Sequence, residues 1–194
     1  MIKLFLRKSA HKVIKLLRIG LYQILSDCQS VSGKPFRSQP VLLKGQGHIN
    51  FGEDVHLGVE TSPFFYSGYM YIEARNPETR ISIGSHVWIN NNASLIAEGE
   101  GITIGDHTLI GTHFEVVDSD FHDIHPNRRM TVHPLRKRVD IGTNVFIGAN
   151  VKILKGVTIG DNSVIGNGAV VTSSIPANSV AVGCPARVIK ALPT

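Results

Sequence analysis

A branched apolar residue recurs at every sixth position through the second half of the chain. The residues in this phase are Ile141, Ile147, Ile153, Ile159, Ile165 and Val171. A period of six matches neither an amphipathic helix, with its repeat of about 3.6 residues, nor a half-buried strand, with its repeat of about two. The pattern predicts short strands joined by tight corners, three to a turn of roughly 18 residues, with successive turns stacked on one another.

The same phase continues upstream, with one bulge and two long interruptions. Its members there are Phe51, Leu57, Ile83, Ile89, Leu95, Ile104, Ile110 and Val116. The wider spacing between Leu95 and Ile104 predicts a bulge around residues 98–100. The interruptions span residues 61–80, which are rich in aromatic side chains, and residues 117–138, which contain His122, His125 and His133. Because loops on a rigid scaffold often carry function, the second interruption is the stronger candidate site.

Two further histidines, His86 and His107, occupy the same hexad position after an I-G pair. They are predicted to stack on the outside of neighbouring turns. Stacked histidines can bind zinc. Asp54, Asn144 and Asn162 hold the same position in other turns, which favours a solvent-facing polar corner.

Residues 1–29 differ from the rest and predict a basic amphipathic helix, followed by a linker at 30–40 and the coil at 41–192. The basic residues on one half of the helical wheel are Lys3, Arg7, Lys8, Lys12, Lys15 and Arg18. Such a helix suits contact with an anionic membrane surface. The other interpretation is that its apolar side packs on the coil or on a neighbouring subunit. Charges interrupt the segment too often for a membrane span.

Composition narrows the expected partners and compartment. The chain has 194 residues, of which 42% are hydrophobic and only 7% aromatic, as expected for a narrow aliphatic core. The net charge of +5 favours an anionic partner, but no nucleic-acid-binding motif is present and no nucleic acid partner is expected. Cys28 and Cys184 show no disulfide or zinc spacing, so we expect a cytoplasmic protein.

The hexads, together with D-S-D-F-H-D-I, V-F-I-G-A-N-V-K-I-L-K-G-V-T-I-G-D and G-C-P-A-R-V-I-K, resemble the hexapeptide-repeat acyltransferases. Within that family the match is to the sugar O-acetyltransferase branch, and it covers roughly residues 81–192. The resemblance implies an all-β fold, a left-handed parallel β-helix with an N-terminal α-helix and a long protruding loop. It also implies a homotrimer with active sites between subunits, acetyl-CoA as donor and a carbohydrate acceptor. Surface polysaccharide biosynthesis is the expected setting.

The resemblance also assigns candidate site residues. His122 matches the catalytic histidine, and an imidazole suits removal of a hydroxyl proton near neutral pH. The backbone N–H of Ala149 matches the donor to the thioester oxyanion. The other expected contacts are with the acceptor, from Asn91, Asp120 and His125, and with the coenzyme, from Phe146, Ala149, Gly168, Arg187 and Lys190. Departures from the family pattern are Ser173 in place of a usual Lys, Cys184 in place of Asn, and the basic helix in place of the acceptor-selecting N-terminal segment.

Other functions remain open at this point. One is N-acetylation of a nucleotide-linked amino sugar, or acetylation of a xenobiotic. Another is a β-helical carbonic anhydrase, which needs three histidines around a metal at a subunit interface. The third is a non-catalytic trimeric scaffold. No metal is expected for the favoured acetyltransferase.

Overall fold

The computed structural model describes residues 2–131 and 134–193, and His133 lies outside them. The described residues form one α-helix, α1 (Ile2–Leu25), a short 3-10 helix (Pro126–Arg128), and 20 strands arranged in three sheets. No helix within the described residues is both long and apolar enough to cross a membrane.

Each sheet forms one side of a triangular coil. The first sheet contains β1 (Ser30–Ser32), β4 (His48–Phe51), β7 (Arg80–Ile83), β10 (Ile102–Ile104), β13 (Val139–Ile141) and β16 (Thr158–Ile159). The second contains β2 (Phe36–Arg37), β5 (His56–Leu57), β8 (Trp88–Ile89), β11 (Leu109–Ile110), β14 (Phe146–Ile147), β17 (Val164–Ile165), β19 (Ser179–Val182) and β20 (Arg187–Ala191). The third contains β3 (Val41–Lys44), β6 (Met70–Ala74), β9 (Ser94–Ala97), β12 (Glu115–Val117), β15 (Lys152–Ile153) and β18 (Val170–Val171). Every paired strand is parallel except β20, which runs antiparallel to β19.

The core is the predicted column of aliphatic side chains. Each hexad residue from Ile141 to Val171 is buried, and so are the smaller residues four positions later in the first five hexads, from Val145 to Ala169. Parallel pairing places equivalent hexads directly above one another, as when Ile110 pairs with Ile147. The six-residue period is therefore confirmed as the repeat of a three-sided parallel β-helix.

Corners between strands use a left-handed backbone conformation that Asn, Asp and His tolerate better than most residues. Asp54, His86, His107, Asn144 and Asn162 all have a φ between 52° and 59°. The rings of His86 and His107 stack with centroids 4.8 Å apart, as predicted, and His86 Nδ1 lies 3.2 Å from a carboxylate oxygen of Asp54. In the described part of the chain, no three potential metal ligands are grouped to hold an ion.

The structure differs from the predicted boundaries in two places. The segment 30–40 is part of the first turn, because β1 pairs with β4 and β2 pairs with β5. The first interruption is shorter than predicted, because Met70–Ala74 forms β6 between β3 and β9. The aromatic loop is therefore residues 58–69, which connect β5 to β6.

Helix α1 contacts the aromatic loop through its polar side. His11, Lys15 and Arg18 contact loop residues, while Leu6, Val13, Leu16, Leu17, Leu21 and Ile24 remain exposed. The possibility that the apolar side packs on the chain's own coil is therefore wrong. The physical reason is that the loop meets the polar side of the helix, where it offers a carboxylate, a carbonyl oxygen and the rings that pack on His11.

Candidate functional site

His122 lies in the long loop that follows β12. The loop turns sharply at Phe121, which has a φ of 59°, and the backbone N–H of His122 donates to the carbonyl of Asp120 at 2.7 Å. The imidazole is exposed, and its Nδ1 lies 3.1 Å from the carbonyl oxygen of Arg129. A carbonyl only accepts hydrogen bonds, so Nδ1 must carry the hydrogen. In the neutral ring this leaves the lone pair on Nε2, which is the state a general base requires.

A network of charged side chains supports the turn beside His122. The buried carboxylate of Glu98 accepts hydrogen bonds from Arg75 at 2.7 Å and from two nitrogens of Arg136 at 3.1 and 2.9 Å. The guanidinium of Arg75 then lies 5.1 Å from the centre of the Phe121 ring. Glu73 also binds Arg75, and its carboxylate raises the pKa of that guanidinium. The network therefore fixes the residue next to His122.

The bulge that carries Glu98 is itself held by one buried carboxylate. Asp118 accepts the backbone N–H groups of Glu98, Gly99 and Gly101 at 2.7, 3.0 and 2.8 Å. Gly101 has a φ of 97°, and a Cβ there would lie 2.2 Å from the carbonyl oxygen of Arg80. Asp118 thus orders the bulge rather than the imidazole. The ring of His122 is oriented by a backbone carbonyl.

Sequence reasoning missed the Glu98 network. Glu98 was predicted only as part of the bulge at residues 98–100, and no motif marked Arg136 as its partner. The two residues are 38 positions apart, and no period of the hexads relates them. The only signal in the sequence was the predicted bulge, and a bulge does not identify a pair of interacting side chains.

Asp120 and His125 flank His122 in the loop. The carboxylate of Asp120 accepts a hydrogen bond from Lys155 at 2.6 Å. His125 is exposed and caps the 3-10 helix, with its Nδ1 3.4 Å from the backbone nitrogen of Asn127. Both residues lie within three positions of His122 in the sequence. Their predicted contact with an acceptor stays a prediction.

The contacts of Asn91 differ from the predicted acceptor-binding role. Its side chain is fully buried, and its amide oxygen accepts the backbone N–H of Val59 at 3.0 Å. Its amide nitrogen donates to the carbonyls of Val59 at 3.0 Å and Pro63 at 2.8 Å. These bonds use both donor hydrogens of the amide. Asn91 therefore holds the aromatic loop against the coil. No N–H of its side-chain amide is left to bind a carbohydrate acceptor.

The predicted oxyanion donor is also occupied. The backbone N–H of Ala149 donates to Oδ1 of Asn167 at 2.8 Å. The same bond recurs in other turns, where Asp106 accepts from Ser85 and Asp161 accepts from Thr143, each at 2.7 Å. The bond is thus a regular corner feature of this coil. Ala149 can serve an oxyanion only if Asn167 releases its N–H.

Of the predicted coenzyme residues, Phe146, Arg187 and Lys190 lie on the second side of the coil, and Ala149 and Gly168 lie in the corners that follow it. The ring of Phe146 is 53% exposed. Gly168 donates to the carbonyl of Ala149 at 2.8 Å, and a Cβ at Gly168 would meet no atom within 4 Å, so its surroundings are open. Arg187 and Lys190 are exposed on β20. No hydrogen bond or ion pair between described residues joins this group to His122.

The chain is similar to known proteins in both sequence and fold. The family model described as bacterial transferase hexapeptide (six repeats) matches residues 138–173. The galactoside O-acetyltransferase of Escherichia coli K12 is 40% identical over 112 residues, which are 58% of this chain and 54% of that enzyme. The chain thus spans about half the length of that relative.

A second relative, WbbJ of Escherichia coli K12, is named for O-acetyl transfer in lipopolysaccharide biosynthesis. It is 31% identical over 160 residues, which are 78% of this chain and 76% of WbbJ. The solved structure of AntD, an N-acyltransferase from Bacillus cereus, has a TM-score of 0.68 at 23% identity, covering 90% of this chain and 87% of AntD. That likeness shows the fold alone, a left-handed parallel β-helix. Because the similarity to WbbJ extends over more than two thirds of both chains, and the hexapeptide family model also matches, the chain belongs to the hexapeptide-repeat acetyltransferase family.

Proposed function

We propose that this protein transfers the acetyl group of acetyl-CoA to a hydroxyl group of a carbohydrate, with His122 as the general base. The observation that carries this proposal is the hydrogen bond between Nδ1 of His122 and the Arg129 carbonyl, which leaves Nε2 able to accept a proton. Membership of the acetyltransferase family and the O-acetyltransferase names of its relatives support the reaction class.

In the proposed reaction, Nε2 of His122 accepts the hydroxyl proton while the hydroxyl oxygen bonds to the thioester carbon. The imidazolium then returns the proton to the departing sulfur as the carbon–sulfur bond breaks. The products are the acetyl ester and free coenzyme A, and no covalent enzyme intermediate is needed. We propose that the backbone N–H of Ala149 leaves Oδ1 of Asn167 and donates to the oxyanion instead. We also propose that Asp120 and His125 face the carbohydrate acceptor.

The predicted coenzyme residues fit a ligand with an apolar arm and charged phosphates. The half-exposed ring of Phe146 offers an apolar surface, the open space at Gly168 admits a close approach, and Arg187 and Lys190 offer cations. We propose that Phe146 and Gly168 contact the pantetheine arm, and that Arg187 and Lys190 bind the phosphates.

We further propose a homotrimer whose active sites lie between subunits. The outer surface of the second sheet carries the exposed apolar side chains Phe36, Trp88, Leu109 and Phe146, with the ring of His56 stacked between Phe36 and Trp88. The outward residues of the first sheet are polar instead: Asn50, Ser82, Thr103, Asp140 and Thr158. An exposed apolar row of this length is typical of a protein interface. Burial of this row between protomers would place Phe146 at the seam.

The setting we propose is the cytoplasm, with the trimer held at the inner membrane surface by α1. The exposed apolar side of the helix would enter the headgroup region, and Lys12 beside it would contact anionic lipid. Recovery of all the protein in the supernatant after sedimentation with anionic vesicles would exclude this contact.

The reaction is tested by measuring coenzyme A release from acetyl-CoA with a panel of free, nucleotide-linked and polysaccharide sugars. Mass spectrometry of the product should show one added acetyl group that mild base removes, because esters hydrolyse under conditions that amides survive. A product that resists mild base would indicate N-acetylation of an amino sugar instead. Absence of turnover with every acceptor would favour the scaffold, and bicarbonate formation dependent on a bound metal would favour the anhydrase.

A further inference from the structure

The contact between α1 and the aromatic loop combines hydrogen bonds with ring stacking, as where His11 stacks on Phe65. Nδ1 of His11 lies 2.6 Å from the hydroxyl of Tyr66, and Nε2 of the same ring lies 3.1 Å from the carboxylate of Glu60. Lys15 donates to the other carboxylate oxygen of Glu60. Arg18 donates to the carbonyl of Phe65 at 3.0 Å. The helix is therefore anchored at a defined position above the loop.

The anchored helix and the loop enclose an open cleft of about 560 Å³. We call it the helix–loop cleft, and its lining residues are Arg7, Lys8, His11, Glu60, Thr61 and Tyr66. The single acidic group, Glu60, is already paired with Lys15 and His11. Among the residues that the structure describes, neither Arg7 nor Lys8 has an acidic partner. The cleft therefore has two uncompensated cations and suits an anion.

The position of the cleft narrows the kind of anion. It is lined by the polar side of α1, and on another side of the same helix Leu6 and Leu17 are 60% and 69% exposed. The volume exceeds that of a single phosphate and accommodates a diphosphate with part of an attached sugar. The aromatic loop that forms one wall is held to the coil by Asn91, so the cleft is tied to the same scaffold as the proposed active site.

We propose that the helix–loop cleft binds the diphosphate group of the carbohydrate acceptor, through Arg7 and Lys8. This inference rests on the proposed function only in taking the bound molecule to be the acceptor. A sugar diphosphate can be attached to a nucleoside or to a lipid, and the two share the group that the cleft recognises. An attached lipid chain would lie along the exposed apolar side of α1, and a nucleoside would not use it.

Binding is tested by calorimetric titration of the full chain with inorganic pyrophosphate at low ionic strength, without acetyl-CoA. The variants are Arg7→Gln and Lys8→Gln, and the matched control is Lys12→Gln, which removes one exposed charge of the same helix outside the cleft. Loss of one charge-assisted hydrogen bond should weaken binding about tenfold in each cleft variant, and the control should change it by less than about twofold. Absence of binding by the unaltered protein, or equal weakening in all three variants, would overturn the proposal.

Titrations with farnesyl diphosphate and with uridine diphosphate distinguish a lipid-linked acceptor from a nucleotide-linked one. Tighter binding of farnesyl diphosphate, with the difference removed by Leu17→Ser, would assign a lipid-linked acceptor. Equal or tighter binding of uridine diphosphate would assign a nucleotide-linked one. Because acetyl-CoA is absent from these titrations, failure to bind leaves the acetyl-transfer proposal standing. Failure of acetyl transfer likewise leaves a measured binding intact.

Discussion

Replacing Asp118 by Asn should destabilise the protein strongly, although the two side chains have nearly the same shape. One carboxylate oxygen accepts the N–H of Glu98, and the other accepts those of Gly99 and Gly101. An amide has only one oxygen, so its NH₂ group must face at least one backbone donor. In the more favourable orientation the amide keeps the bonds to the two glycines and loses the bond to Glu98.

The expected cost follows from these contacts. Asp118 is fully buried, so water cannot replace the lost acceptor. A hydrogen bond to a charged group contributes about 1.5–3 kcal/mol, and the two remaining bonds lose their charge assistance, so we expect a loss of about 2–4 kcal/mol in the free energy of unfolding. The bulge carries Glu98, so the turn beside His122 should loosen and kcat should fall.

The assay is urea unfolding of wild type and variant at one protein concentration, with coenzyme A release measured in parallel. The matched control is Asp106→Asn, because Asp106 is exposed and uses a single oxygen to accept one N–H. Asn167 makes the same bond with an amide oxygen at Ala149. The control should therefore change stability by less than about 0.5 kcal/mol. A loss below about 1 kcal/mol for Asp118→Asn would refute the reasoning.

Three other outcomes are expected. Asn167→Ala frees a main-chain N–H and should raise the rate of acetyl transfer severalfold, whereas Asp161→Ala, which frees an equivalent N–H elsewhere, should leave the rate unchanged; equal rates in both would argue against the oxyanion role. Trp88→Asp should give monomers in analytical ultracentrifugation, and Thr158→Asp, on the polar outer surface of the first sheet, should leave trimers. A hydrogen bond from a lysine of α1 lowers the pKa of Glu60. Docking of α1 should thus persist above the unfolded-state pKa, about 4.3, and weaken as the pH falls through the lowered value, so that hydrogen exchange in α1 accelerates; no acceleration would contradict this.

The repeat of the coil could be predicted from sequence because every buried position repeats at a fixed spacing. The first turn escaped detection, because Arg37 stands at the position that pairs with the hexad residue Leu57, and because its Val31 is partly exposed. Gly33 and Pro35 in the same segment are typical of a linker. The strands of residues 30–37 form because they pair with β4 and β5 of the next turn. The local sequence pattern does not indicate this pairing.

The candidate site was predictable only in part. His122 could be assigned from its motif, but the partner of its ring is a backbone carbonyl, which no side-chain pattern reveals. The roles of Asn91 and Ala149 depended on free polar groups, and the structure shows that the aromatic loop and Asn167 already bond to them. Such competition within the chain depends on distances between atoms rather than on residue identity.

The central claim is that Nε2 of His122 accepts the proton of the attacking hydroxyl. The most direct measurement is the rate of coenzyme A release by His122→Ala, with Ile124→Ala, at an exposed residue of the same loop, as the matched control and sedimentation to verify assembly. Loss of a general base should lower the rate by about 10²–10⁴-fold without changing the oligomeric state. Near-full activity in His122→Ala would contradict the claim.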